Sequence, residues 1–328
     1  MRRSSGIIGG IVAAVCIAAS AASVQAQSFP ARPVRLLIVQ AAGGSTDTVA
    51  RGYAEELRKL WGQAVVVENR PGASGVIGTE MLVRSEPDGH TLLLASNAQL
   101  VHNAVLAKNL PFDLERDLAP IFNAVEAPTV VVVHPSVAAN SMRELIALAK
   151  ASPGTLNNGT PGINSGSHID SELFSAQTGI RLFHVPYKSG TDSNRALFAG
   201  DVQVGFSVVG LVLPGIRDGR LRALGIASPE RTPVLPNVPT FAEAGYGEIR
   251  LLGNYWGFVA TARTPKALVD KIAADLATVS SQPAFREKFI TGLGFQSPGD
   301  MPAAFAERMR KDRAQLVDVA KSAGLKGS

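Results

Sequence analysis

The feature that most constrains this chain is an alternation of short β-branched runs with longer amphipathic segments, sustained from residue 34 almost to the C-terminus. Residues 34–40, 64–68, Thr91–Ser96 and the wholly apolar Thr129–Val133 read as strands. Between the first two, Val49, Tyr53, Leu57 and Leu60 fall on one face of a helix over residues 48–60. Ser141 and Glu144 form a capping box for a helix over Met142–Ala151, which Pro153-Gly154 ends. Strands near 156–158, 182–185, 202–208 and Arg222–Ala227 then alternate with helices starting near Ser167, Asp192 and Leu211. A strand over 254–260 follows. Thr264-Pro265 opens a helix with proline at its first position, and the last helix runs from about Pro302 to Lys321. Strands separated by helices of about 10–15 residues build βαβ units, so the fold class is α/β with mostly parallel sheets flanked by helices.

Composition narrows the function classes. The chain has 328 residues, 46% hydrophobic and 18% charged, which excludes a disordered chain. Its net charge of +5 is evenly spread, with no run of five like charges, so no basic stripe points to a nucleic acid partner. Residues 1–26 read as a secretory signal peptide. Arg2 and Arg3 form its basic start, and Val24-Gln25-Ala26 places small residues one and three before a cut ahead of Gln27. The apolar stretch between them, residues 7–22, is shorter than the roughly 20 residues of a membrane span. The only cysteine, Cys16, lies inside that leader behind the bulky Val15, so the mature chain has no disulfide and no thiol chemistry. Secretion without disulfides fits a bacterial envelope protein held by its core alone.

Two loops carry the candidate chemistry. Gln40-Ala41-Ala42-Gly43-Gly44-Ser45-Thr46-Asp47 follows the first strand and opens the first helix. Its glycines let the backbone turn and present N–H groups, and a helix N-terminus favours an anion. No Lys-Ser/Thr follows, so it is not a P-loop, and the third glycine of a dinucleotide fingerprint is missing. Residues 158–168, with Thr160, Ser165, Ser167 and His168, repeat this character before a second helix. Signals for catalysis are thin: there is no G-x-S-x-G elbow and no H-E-x-x-H pair. Ser165, Ser167, His168 and Asp170 hold the letters of a hydrolytic triad but crowd into six residues, where triad members converge from separate elements. The five histidines are never closer than 12 positions apart, so no local metal motif exists, and no cofactor is expected. On the residues alone, anion binding and an ordinary Gly/Ser-rich surface loop both stay open.

A set of segments in order resolves this. Pro33-Val34-Arg35-Leu36-Leu37-Ile38-Val39, the Gly43–Asp47 loop, Asn69-Arg70-Pro71-Gly72-Ala73, Pro87-Asp88-Gly89-His90-Thr91, Pro186-Tyr187-Lys188 and Val238-Pro239-Thr240-Phe241-Ala242-Glu243-Ala244-Gly245 span the chain after the leader. Together they resemble the solute receptors of tripartite tricarboxylate transporters, the Bug or TctC-like family. The resemblance implies a two-lobed type II periplasmic-binding-protein fold that closes on its ligand like a flytrap. Lobe one would hold residues 27–127 plus 252–328 and lobe two 128–251, with the strands Thr129–Val133 and 254–259 carrying the hinge. It further implies a non-enzymatic receptor that binds a small carboxylate and delivers it to a membrane permease. Ala42, Gly43, Gly44, Ser45, Thr46 and Asp47 of lobe one would face Thr160, Ser165 and Ser167 of lobe two, with Asp47 capping its helix to hold the loop. Ser96 and Asn97 would line the wall, and Tyr187 and Ser207 would set the distal pocket. This chain departs from the family at Asn164, where glycine is common, and at Ser207, where an acid is common. The second change argues against a ligand ammonium group. Two other readings remain: a periplasmic hydrolase using Ser165 or Ser167, and a ligand sensor of the same fold.

Overall fold

Two five-stranded sheets carry the chain, and the strand order of one repeats in the other. The computed structural model describes residues 29–322 apart from 41, 44 and 108; the leader 1–26 and Gly44 of the first loop lie outside the described residues. The first sheet is ordered β2-β1-β3-β10-β4, from β1 (Val34–Ile38), β2 (Val65–Asn69), β3 (Thr91–Ser96), β4 (Leu118–Ala127) and β10 (Asn254–Thr261). The second is ordered β7-β6-β8-β5-β9, from β5 (Thr129–Val133), β6 (Asn157–Thr160), β7 (Phe183–Pro186), β8 (Val204–Val208) and β9 (Arg222–Ala227). In each sheet four strands run one way and one runs against them: β10 in the first, β5 in the second. The reversed strand is in both cases the one that has just arrived from the other sheet.

Alternation along the strands divides each sheet into two apolar faces. Val34, Leu36 and Ile38 meet Val49, Tyr53 and Leu57 of α1 (Ser45–Trp61) and join a core with Ile272 and Leu276. Leu60, in the last turn of α1, stays half exposed. Leu37 and Val39 face the other way, joining a core with Leu82 of α2 (Val76–Val83) and Phe305. In the second sheet Val131 and Val133 join α3 (Met142–Ala151), whereas Val130 and Val132 face the opposite core. Each such fully buried aliphatic side chain contributes about 1.5–3 kcal/mol. Ser141 accepts the Glu144 N–H at 3.2 Å, and the Glu144 carboxylate accepts the Asn140 N–H at 2.7 Å, so the capping box forms one residue wider than the usual pattern. The remaining helices longer than two turns are α4 (Gly166–Thr178), α5 (Gly190–Ala199), α6 (Val209–Arg217), α7 (Lys266–Ser281) and α8 (Pro302–Ser322).

Two elements escape the periodicity. β4 contains Pro120 and Asn123 and shows no clean alternation; it occupies a sheet edge, where a residue without an N–H is tolerated. α2 is nearly all apolar, so it has no polar face to mark it. Pro265 stands at the N-cap of α7 rather than at its first helical position.

The chain passes between sheets twice, at Ala127-Pro128-Thr129 and at residues 251–253. Both crossings are held by one buried carboxyl. Asp170, in the second turn of α4 and fully buried, accepts the Thr129 hydroxyl at 2.5 Å and the N–H groups of Leu252 and Gly253 at 3.0 and 3.2 Å. Burial pushes it up to about 6 against the pull of these donors. Asn97, at the end of β3, adds a bond from Nδ2 to the Gly253 carbonyl at 2.9 Å. Around them Leu106, Ile169, Leu173, Leu252 and Leu316 form an apolar seam drawn from both halves. Gly166 lies so close to β10 that a Cβ there would stand 2.3 Å from Asn254 Oδ1, so a larger residue would require the Asn254 side chain to move.

Replacing Asp170 by alanine strands three buried donors. The expected loss is about 3 kcal/mol or more in urea unfolding. Asp170→Asn, which still accepts from the two amides, should lose less than half as much. Equal midpoints for Asp170→Ala and the unchanged protein would show that the crossings stand without this carboxyl.

Candidate functional site

A cleft of about 940 Å³ opens between the carboxyl ends of the two sheets, the place where α/β folds bind ligands. The first sheet contributes Gln40 after β1, Ser96 at the end of β3, and Gln99 and Asn103 from the turns that follow. The second contributes Ser165, Gly166 and Ser167 after β6, Ser193 and Asn194 of α5, and Ser207 of β8. Asn254 and Trp256 of β10 complete the wall. Lys188, exposed, is the one ionisable side chain among the described lining residues.

Backbone strain is concentrated here. Among the described residues three that are not glycine have left-handed φ: Ala73 at 46°, Ser74 at 53° and Asn164 at 62°. All three line the cleft. Such conformations cost of order 1–3 kcal/mol each and persist where the surroundings impose them, typically at binding sites. Asparagine is among the non-glycine residues that tolerate this region best, which suits it to position 164.

The second loop is built tightly. Ser165 is the N-cap of α4: its hydroxyl donates to Gly162 O at 2.8 Å and accepts the His168 N–H at 3.3 Å. The first amides of a helix have no intrahelical acceptor, so the Gly166 and Ser167 N–H groups stand at the positive end of the α4 dipole. The Ser167 side chain makes no hydrogen bond within the described residues and lines the cleft. Behind the loop, the His168 and His184 rings stack at 4.0 Å. His168 Nδ1 accepts the Asn164 N–H at 3.1 Å, and His184 Nε2 lies 2.6 Å from Thr160 Oγ1. Burial, with His184 adding to it, lowers His168 to about 4, and burial lowers His184 as well. The lone pair that His168 offers Asn164 is therefore present at neutral pH. Its imidazole is not bonded to Ser165, so the serine and histidine do not form a nucleophile–base pair.

The first loop is held from behind by Asp47. This carboxylate accepts the Gly43 N–H at 3.0 Å, Arg51 Nε at 2.9 Å and Asn69 Nδ2 at 3.1 Å. Asn69 also donates to Gln40 O at 3.1 Å and accepts from Arg51 at 3.2 Å. The bond to Arg51, then those to Gly43 and Asn69, hold Asp47 down to about 2 against the opposing effect of burial. The Asn69-Arg70-Pro71-Gly72-Ala73 segment thus supplies both the lock of the first loop and, through Ala73, part of the cleft wall.

Of the residues expected at the site, Ser96, Ser165, Ser167 and Ser207 line the cleft together. Ala42 and Gly43 are exposed, Thr46 and Asp47 are buried, and the described part of the first loop reaches the cleft through Gln40. The Gly43 N–H, assigned above to an anion, is engaged by Asp47. Ser45 starts α1; its side chain lies outside the described residues. Asn97 ties a crossing rather than facing the cleft, and Thr160, fully buried, bonds Gly162 O and His184. Tyr187 packs against the core of the second sheet beside Gly159, and its neighbour Lys188 takes the lining position. Gln99, Asn103, Asn194 and Trp256 were not anticipated. Trp256 brings to the cleft an indole N–H that is buried and without a partner among the described residues. Among the described residues no group of three metal-ligating side chains converges, and no helix is long and apolar enough to cross a membrane.

Comparison with known proteins gives a consistent result. The family described as "Tripartite tricarboxylate transporter family receptor" (TctC) matches residues 49–313. A UPF0065 protein of Bordetella bronchiseptica is 32% identical over 330 residues, covering 99% of this chain and 97% of that one. The solved structure of the periplasmic binding protein BugD superposes with a TM-score of 0.75 at 30% identity, covering 91% of this chain and 99% of its own. MatC from Rhodopseudomonas palustris with bound malate gives 0.75 at 28%, covering 89% and 99%.

The Asp47 carboxyl carries a pH signature. Its folded pKa lies below the ordinary 3.8, so its contribution to stability is complete above that value and is lost as pH falls toward about 2. In acid titrations between pH 5 and 2, Asp47→Asn should start less stable and converge on the unchanged protein as pH falls. A constant gap across that range would mean that Asp47 does not hold the loop as a carboxylate.

Proposed function

Because this chain belongs to the tripartite tricarboxylate transporter receptor family, we propose that it is a monomeric periplasmic receptor that captures a small organic carboxylate and hands it to a membrane permease of the tripartite type. The leader is cleaved after Ala26. The first sheet and the C-terminal helices form one lobe (27–127 plus 252–328), the second sheet forms the other (128–251), and the ligand sits between them. One observation carries the reading: a cleft between two sheet ends, walled on both sides by uncharged hydrogen-bonding groups and closed in by three strained residues.

The chemistry suits reversible capture. The carboxylate is received at the start of α4, by the Gly166 and Ser167 amides and the Ser167 hydroxyl, with Gln40 and Ser96 on the wall contributed by the first sheet. Amides at a helix N-terminus stabilise an anion without a fixed countercharge. Release to a permease then requires no buried ion pair to be broken, a step that costs several kcal/mol. The dicarboxylate in MatC fits the same class of ligand.

Thermal melting of residues 27–328 against mono-, di- and hydroxycarboxylates tests this. A ligand at 100 times its Kd stabilises by about 2.7 kcal/mol, a clear rise in Tm. Ser167→Phe, which fills the cleft at a side chain with no structural bond, should abolish the rise while the unliganded Tm stays within about 2 °C, a change of about 0.5–1 kcal/mol. No response to any carboxylate at millimolar concentration would sink the receptor reading.

A further inference from the structure

The second wall of the cleft holds a polar pair away from the α4 N-terminus. β8 runs parallel to β6 with Val204 opposite Asn158, so Ser207 emerges one strand over, at the level of Pro161. Asn194 of α5 lies beside it; both side chains are more than nine-tenths buried and both line the cleft. The Ser207 hydroxyl donates to Asn194 Oδ1 at 3.2 Å. That bond fixes the amide so that its NH₂ group, which has no partner among the described residues, is the free end. The neighbouring Ser193 is also buried and donates its hydroxyl proton to Gly190 O at 3.1 Å. Both serine protons are therefore engaged inside the protein. The patch offers one amide donor group and serine lone pairs, with no cation.

Resting on the carboxylate-receptor reading above, we propose that Asn194, oriented by Ser207, is the specificity-determining residue for the far end of the ligand, and that it selects an uncharged hydrogen-bonding group, such as a hydroxyl or an amide, over a second carboxylate. Two physical arguments converge. A buried carboxylate has about four acceptor sites to satisfy, and here it would meet one NH₂ group and the lone pairs of two serines. A hydroxyl accepts from the amide and donates to a serine oxygen, and a primary amide does the same through its own two ends. Charge agrees: apart from the exposed Lys188 the described lining holds no cation, so a second carboxylate buried at this patch would have no countercharge.

Calorimetric titration with chain-matched probes tests the assignment: hexanoate, 6-hydroxyhexanoate, adipate and the monoamide of adipic acid, with the four-carbon set in parallel. The unchanged protein should bind the hydroxy acid and the monoamide at least tenfold tighter than the alkyl acid and the diacid. Asn194→Leu should bring the hydroxy acid and the monoamide down to the level of the alkyl acid or below it, with the diacid still weaker. Asn194→Asp replaces the donor by an acceptor, so it should retain the hydroxy acid and lose more than tenfold on the monoamide. Ser207→Ala leaves Asn194 in place but unoriented, and should reduce the discrimination severalfold in the same direction even if the Asn194 variants fold poorly. Tightest binding of the diacid by the unchanged protein would overturn the proposal, as would a ranking that survives Asn194→Leu. Either result would leave the receptor reading standing, whereas failure to bind any probe of either length would remove both.

Discussion

Both passages of the chain between its sheets depend on one carboxyl. Asp170 is out of reach of water, and its two oxygens accept three donors: a hydroxyl from the first crossing and two backbone amides from the second. An asparagine in its place would present an acceptor on one side only, and an apolar residue would leave every donor unpaired in a dry seam. The acid stands one turn into α4, the helix whose first residues line the cleft. The crossings and the cleft wall are thus tied to the same helix. Gly166 tightens the arrangement by letting α4 touch Asn254.

Apart from the exposed Lys188, charge in this protein is placed behind the cleft rather than in it. Asp47, Arg51 and Asn69 lock the first loop from its rear. One strand away Arg35, with Arg70 adding to it, holds the Glu68 carboxyl down to about 2. The second loop is backed by two neutral stacked imidazoles. What faces the cleft, besides Lys188, is serine, asparagine, glutamine and backbone set among apolar side chains such as Leu106, Phe206 and Trp256. Loops made rigid in this way lose little freedom on binding, so weak neutral donors suffice for selective capture.

Much of the architecture could be read from residue pattern, because most strands here are buried on both faces and most helices on one. Thr91–Ser96, Thr129–Val133, Met142–Ala151 and Arg222–Ala227 lie where β-branching, periodicity and caps place them. β4 was illegible because its position at a sheet edge relaxes the demands that make a strand recognisable, and α2 because a helix apolar all round has no period. At the site, Ser165 and Ser167 were legible as hydroxyls at a helix start. Gly43 and Thr160 share that local chemistry, yet their polar groups face inward and bond their own loops. The acceptors are local, Asp47 and Gly162, but they are held in place by side chains far along the chain, Asn69 behind Asp47 and His184 beside Thr160, which local pattern does not reveal. Asn194 shows the converse: nothing in α5 marks it until β8 brings Ser207 alongside.

The place of β10 in the first sheet bears on how the protein is made. It lies between β3 and β4, which touch each other only through it, and it begins at residue 254. The second sheet is drawn wholly from residues 129–227, so it can be completed while the last third of the chain is still being synthesised or threaded. The first sheet cannot. Until β10 arrives, β3 and β4 present unpaired edges, the form in which chains aggregate. Closing them requires contact across more than 120 positions of sequence, a slow step for any polypeptide. The half of the molecule synthesised first is therefore the half that folds last, and its nascent edges need shielding through the whole of that delay.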